Sequence, residues 1–206
     1  MVVMEVFVDV TCPFTHVGLC AVARRRHDLG RDDAVVRVRA WPLELVDGVP
    51  LDPVHTAEHV DALRAQVAPA LFAHFEPAHL PLTSLPALAL AAAGYRQGDA
   101  LGEAVSFALR RALFEEGADI SRPDVLAAVA DAHGLGAPGS EDDAAVLADW
   151  HEGEARGVRG SPHFFCGGEG TFCPSLEISR DGEGRLHVRR DSDALEAFLV
   201  ECFARA

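Results

Sequence analysis

Apolar and polar positions alternate through a Val-rich run at residues 4 to 10, and period-two alternation of this kind predicts a half-buried strand. Residues 13 to 29 switch to helical spacing and stop near Gly30. AVVRVRAW, 34 to 41, returns to alternation with Arg at alternate positions, so the first 41 residues predict one βαβ unit. From about His55 to Gly157 the pattern predicts helices and no strand. The Ala- and Leu-rich stretches 56–75, 85–93 and 101–117 are three of them. Ser121 as a cap with Pro123 in the first turn opens another, which runs to Gly134. Ser140, followed by Glu141, Asp142 and Asp143, opens the next, with its acids placed well against the helix dipole and a stop at Gly157. After Gly160, PHFFC (162–166), a turn in GGEGT (167–171), PSLEIS (174–179) and RLHVRR (185–190) predict strands, and 193–205 predicts a closing helix.

This order predicts an α/β domain split by an all-helical insertion. The α/β part covers 1–54 and 158–206, and the insertion covers 55–157. A chain of 206 residues, 49% hydrophobic, is long enough to bury its own core. Neither a membrane span of roughly 18 to 20 apolar residues nor the basic segment of a signal peptide is visible, and the expected location is the cytoplasm. The net charge of -14 argues against nucleic acid as a partner. All 18 basic residues are Arg, which excludes Schiff-base chemistry on a lysine.

The candidate chemistry lies in CPFT, residues 12 to 15, between the first strand and the first helix. Unpaired amides and the helix dipole favour an anion at a helix start, so Cys12 is expected to have a lowered pKa. Pro13 suits the first helical position. The alternative is a buried structural thiol. Thr15 stands where a redox motif would carry a second sulfur, so no disulfide can close within CPFT, yet its hydroxyl can donate to the Cys12 sulfur. His16 lies one turn from Cys12 and reads as solvated or as a thiolate neighbour. Cys20 is roughly 12 Å along the same helix and out of reach of Cys12. With a hairpin turning over Gly168 to Thr171, Cys166 and Cys173 oppose each other, as a cross-strand disulfide or as two reduced thiols. His163, Cys166 and Cys173 have no second pair at finger-like spacing, and no metal is expected. His55, His59, His74 and His79 form no metalloprotease pattern and read as surface or capping residues.

FVDVTCPFTHVG, AWPLEL, ALRRALFEEGADISRPDVL and GVRGSPHFF, in that order, resemble the DsbA-like thioredoxin superfamily. The similarity is to its FrnE-like, 2-hydroxychromene-2-carboxylate isomerase-like and kappa-class glutathione transferase branch. The resemblance implies a thioredoxin fold, with the helical insertion between an N-terminal βαβ and a C-terminal ββα unit. It also implies an active-site residue at the start of the first helix, faced by a cis-proline loop. Pro162 would be that proline, and Ser161 would present its backbone to an extended peptide or a small thiol. Phe14 and His16 would line the thiol site. PLTSLPALALAA resembles a glutathione-contacting segment, which makes Thr83 and Ser84 ligand candidates.

The family's oxidoreductases carry Cys-x-x-Cys at this position and its isomerases and kappa transferases Ser-Pro-x-Ser or similar, whereas CPFT combines a first Cys with a fourth hydroxyl. The leading expectation is a monothiol thiol-disulfide oxidoreductase. Cys12 attacks a disulfide, and glutathione, mycothiol or bacillithiol, not tightly bound, resolves the product. A thiol-dependent transferase or isomerase is the second reading, and a non-catalytic peptide-binding module the third. The expected partners are a small thiol and a protein or peptide disulfide, with the chain itself a monomer or homodimer.

Overall fold

The structure, a computed structural model, describes residues 3–204. Its central strand is the Val-rich run at the N-terminus. β1 (Val3–Val8) pairs in parallel with β2 (Val35–Ala40) and antiparallel with β3 (His163–Cys166). β4 (Glu169–Phe172) completes the order β2-β1-β3-β4. The crossover of the βαβ unit is α1 (Pro13–Asp28). On one face of the sheet Met4, Val6, Val8 and Phe164 pack with Leu19 and Val22 of α1 and with Phe198 and Leu199 of α8 (Ser192–Ala204). Phe7, Phe165 and Trp41 cover the other face. The predicted closing helix extends to Arg205, which lies outside the described residues.

Between β2 and β3 run α2 (Leu43–Asp47), α3 (Pro53–Gln66), α4 (Leu85–Gln97), α5 (Asp99–Phe114), α6 (Pro123–Ala132) and α7 (Ser140–Ala155). They satisfy the outer edge of β2, which would otherwise leave its ladder groups open. Tyr95 of α4 accepts from the Val38 amide and donates to the Val36 carbonyl, both at 2.9 Å. Glu103 of α5 accepts from the Val36 amide at 3.1 Å, and Asp149 of α7 from the Ala40 amide at 2.9 Å. Val10 and Val17, on either side of Cys12, share one core with Leu63, Phe72, Leu90, Leu113 and other helical-block residues.

Three sequence expectations change, and the last two strands pair apart from the main sheet. The helical stretch 56–75 ends at Gln66, since Pro69 removes an amide donor and Phe72 takes a left-handed φ of 66°. Arg122 and Gly139, not Ser121 and Ser140, are the helix caps; the Ser121 hydroxyl bonds Asp119 at 2.6 Å instead. Most of GGEGT is strand β4, not turn. The reversal is confined to Gly167 and Gly168, because Cys166 pairs with Glu169, and Gly167 supplies the positive φ of 73° that a two-residue turn requires. Finally, β5 (Leu176–Arg180) and β6 (Leu186–Arg190) form their own antiparallel pair.

That register removes the expected cross-strand pairing of Cys166 with Cys173. Cys166 is bonded instead to Cys202 of α8, with a Cα–Cα separation of 5.4 Å, which suits a disulfide. Cys173 lies beyond β4 as a free, buried thiol.

Candidate active site

The site begins where β1 stops. Asp9 folds the next residues into a tight loop, its Oδ1 accepting from the amide and hydroxyl of Thr11 at 2.8 and 2.7 Å. Its Oδ2 accepts from the Leu43 amide at 2.7 Å and from the Ser84 hydroxyl at 3.0 Å. Cys12 then caps α1 in extended conformation with Pro13 in the first turn. Opposite it the Ser161–Pro162 bond is cis. The Cys12 thiol donates to the Ser161 carbonyl at 3.2 Å, and the Ser161 hydroxyl accepts from the Asp9 amide at 2.8 Å. The Thr15 hydroxyl, fully buried, lies 2.7 Å from that of Ser161. Gly18 lets α1 approach this loop, for a Cβ there would stand 3.5 Å from Pro162 Cγ and 3.2 Å from Ser175 Oγ.

The lowered pKa expected of Cys12 is overturned. Burial, with only 4% of the residue exposed, pushes the thiol above its ordinary range, and the opposing hydrogen bonds from Thr15 and Ser161 do not make up the difference. The resting thiol is therefore protonated and serves as a donor to Ser161. Beneath the loop lies a cation invisible to motif reading. Arg110 of α5 is fully buried, and its Nη1 donates to the carbonyls of Asp9 and Val10, each at 3.0 Å. Its Nε and Nη2 have no hydrogen-bond partner among the described residues. Burial pulls the guanidinium down to about 10, against the attraction of Cys12 and Asp9. A buried cation with unused donors favours any anion that forms nearby, including the Cys12 thiolate.

The other candidates divide. His16 is neither solvated nor directed at Cys12. It is buried between Phe72 and Phe114, and its Nε2 meets Glu115 at 2.7 Å. Burial lowers its pKa, with Glu115 pulling the other way. Against its own burial, Glu115 is held at about 2 by His16 and by the Phe72 and Ala73 amides, so it is a carboxylate and His16 Nε2 carries the shared proton. Phe14 stands at the rim, its ring 4.9 Å from that of His59. Ser84 is tied to Asp9, while Thr83 donates to Glu44 at 2.7 Å. His163 accepts from the Arg159 amide at 3.0 Å and stacks on Phe165. Cys20 is free, with its thiol pushed up by burial to about 11.

Sequence reading missed Asp9, Arg110 and Glu115. Asp9 carried a usable signal, as an acid just ahead of a strand-to-helix cysteine, suited to bonding its own loop. Arg110 carried none, being one of two adjacent arginines in an amphipathic helix.

A capping thiol on the carbonyl of a cis-proline, at the end of the central strand of such a sheet, defines a thioredoxin-fold thiol site. Residues 3–180 match the DSBA-like thioredoxin domain, and the chain belongs to that family of thiol oxidoreductases. No curated protein matches the sequence. Among solved structures, a probable DsbA oxidoreductase from Streptomyces coelicolor is similar, at TM-score 0.69 and 18% identity, over 100% of this chain and 92% of that one. The cytosolic disulfide reductase DsbM from Pseudomonas aeruginosa gives 0.65 and 18%, over 99% and 100%, and has also been solved with glutathione. A 2-hydroxychromene-2-carboxylate isomerase gives 0.64 and 16%, over 82% and 88%. No helix of the described residues is long and apolar enough to cross a membrane.

Proposed function

We propose that the protein is a thiol-disulfide oxidoreductase in which Cys12 is the attacking thiol. The observation that carries this reading is the Cys12 sulfur at the cap of α1, 3.2 Å from the Ser161 carbonyl of the cis-proline loop. An extended disulfide substrate that pairs with the backbone of residue 161 competes for that carbonyl and releases the thiol from it. Loss of the proton is then favoured by the Arg110 charge and the Thr15 hydroxyl. The Cys12 thiolate attacks one substrate sulfur, a mixed disulfide forms, and the other sulfur leaves as a thiolate. Thr15 cannot resolve this species, so turnover requires another thiol. Glutathione, mycothiol or bacillithiol fits that need, and the glutathione complex of DsbM supports the first.

Reduction of a small disulfide by glutathione, followed with the wild type and with Cys12→Ser, tests the reading. Turnover that depends on Cys12, with a glutathionyl group on that residue at intermediate times, is expected. Equal turnover by the Cys12→Ser variant would refute it. The raised pKa of Cys12 favours one further reading, in which its protonated thiol donates to the thiolate of a bound glutathione in a transferase or isomerase. That enzyme would retain activity on a small electrophile without Cys12.

A further inference from the structure

Both consecutive carbonyls of the cis-proline dipeptide are taken by a cysteine. The Ser161 carbonyl accepts from the Cys12 thiol at 3.2 Å, and the Pro162 carbonyl accepts from the Cys173 amide at 3.0 Å. Cys173 takes a positive φ of 45°, rare for a residue with a side chain, where the chain leaves β4 and turns toward Leu176. Cys173 is buried in the same large core as Val10 and Val17, and the sulfurs of Cys12 and Cys173 are both free. The turn that follows places the Ser175 hydroxyl against Gly18 of α1, so the segment 173–175 closes over the same helix that Cys12 caps.

We propose that Cys173 is the resolving thiol of Cys12, replacing from another part of the chain the sulfur that Thr15 lacks. The inference rests on Cys12 being the attacking thiol. In the mixed disulfide between Cys12 and a substrate sulfur, the Cys173 thiol loses its proton and its sulfur attacks that of Cys12. The Cys12–Cys173 disulfide forms as the substrate sulfur leaves with the electron pair and takes up a proton. The substrate disulfide is thereby reduced to two thiols and the protein is oxidised by two electrons. Two molecules of a low-molecular-weight thiol then restore both cysteines and leave as their own disulfide.

The order of events follows from burial and charge. Burial, together with the nearby Cys12, pushes the Cys173 thiol up to about 12, so it is not the first attacker. In the mixed disulfide Cys12 can carry no charge, so burial alone then opposes ionisation of Cys173. The attack is intramolecular, which offsets part of the remaining scarcity of thiolate.

The test is incubation of the reduced full-length protein with oxidised glutathione, without free thiol, followed by peptide mapping under non-reducing conditions. The wild type should yield a peptide cross-linked between Cys12 and Cys173. Cys173→Ser should lose that cross-link and hold a glutathionyl group on Cys12. Cys173→Gly, whose backbone suits the positive φ, should behave in the same way and guards against a folding defect in the serine variant. A wild type that accumulates glutathionyl-Cys12 with Cys173 free would overturn the resolving role and leave Cys12 as the attacking thiol. Absence of any change at Cys12 in all three proteins would overturn both.

Discussion

The hydroxyls of Thr15 and Ser161 lie 2.7 Å apart in a buried setting, joining the fourth residue of CPFT to the residue before the cis-proline. Through this bond, and the Asp9 amide on the same Ser161 hydroxyl, the three segments of the site hold one another in place. Thr15 is thus both a neighbour of the Cys12 sulfur and the clamp of the cis-proline loop.

Thr15→Val keeps the shape and removes the hydroxyl. It should cost about 1–3 kcal/mol in stability, the usual penalty for stranding a buried partner. Because the Thr15 hydroxyl lowers the Cys12 pKa, its loss should also move the alkylation of Cys12 to higher pH, while the Thr15 backbone contribution remains. Denaturant unfolding and the pH dependence of alkylation at Cys12 check the two effects separately.

Arg110→Met removes the buried charge that bonds the Asp9 and Val10 carbonyls. The pH profile of Cys12 alkylation should move up by about one unit, as expected when an opposite charge is taken from a thiolate. Arg110→Lys should recover part of this shift, whereas a purely structural role for Arg110 would show as lost stability with no shift in the profile.

Glu115, the part-buried partner of His16, contributes an acid dependence to stability. Its carboxyl titrates at about 2 in the folded chain, against an ordinary 4.5, so its contribution is complete above pH 4.5 and is lost as the pH falls toward 2. Glu115→Gln should destabilise the protein by about 1–3 kcal/mol near neutral pH. The gap to wild type should narrow steadily below pH 4.5. Urea unfolding across that range measures it.

Cys202→Ser opens the link between β3 and α8. A bridge spanning 36 residues is worth about 3–4 kcal/mol in loop entropy, so the variant should unfold earlier than the oxidised wild type by that amount. The two proteins should converge in reductant. Unfolding curves with and without dithiothreitol decide the point.

Much of the fold was legible because its signals are local. The Val-rich alternation of β1, the Pro13 start of α1 and the Gly157 stop each depend on a few neighbouring residues, and the structure keeps all three. CPFT marks one side of the site by the chemistry of a helix start, and GSPHFF marks the other through its resemblance to the family's cis-proline loop. Boundaries failed where tertiary contacts outweigh local preference. Ser121 is drawn from its cap to Asp119, and the helical pattern beyond Gln66 is broken by Pro69 and Phe72.

What the sequence by itself determined is therefore the position of the Cys12 sulfur at a helix start and the absence of a second one in its motif. Only the tertiary structure decided the state of that sulfur and its company. Burial depends on everything that packs over Cys12, and it reverses the pKa direction that the helix start alone implies. The observed hairpin register, which sets Cys166 opposite Glu169 and not Cys173, hands Cys166 to Cys202 and leaves Cys173 beside the cis-proline. The Arg110 guanidinium reaches the loop from a helix 100 residues away. Each of these is a long-range relation, set by how the elements pack, and no stretch of neighbouring residues encodes it.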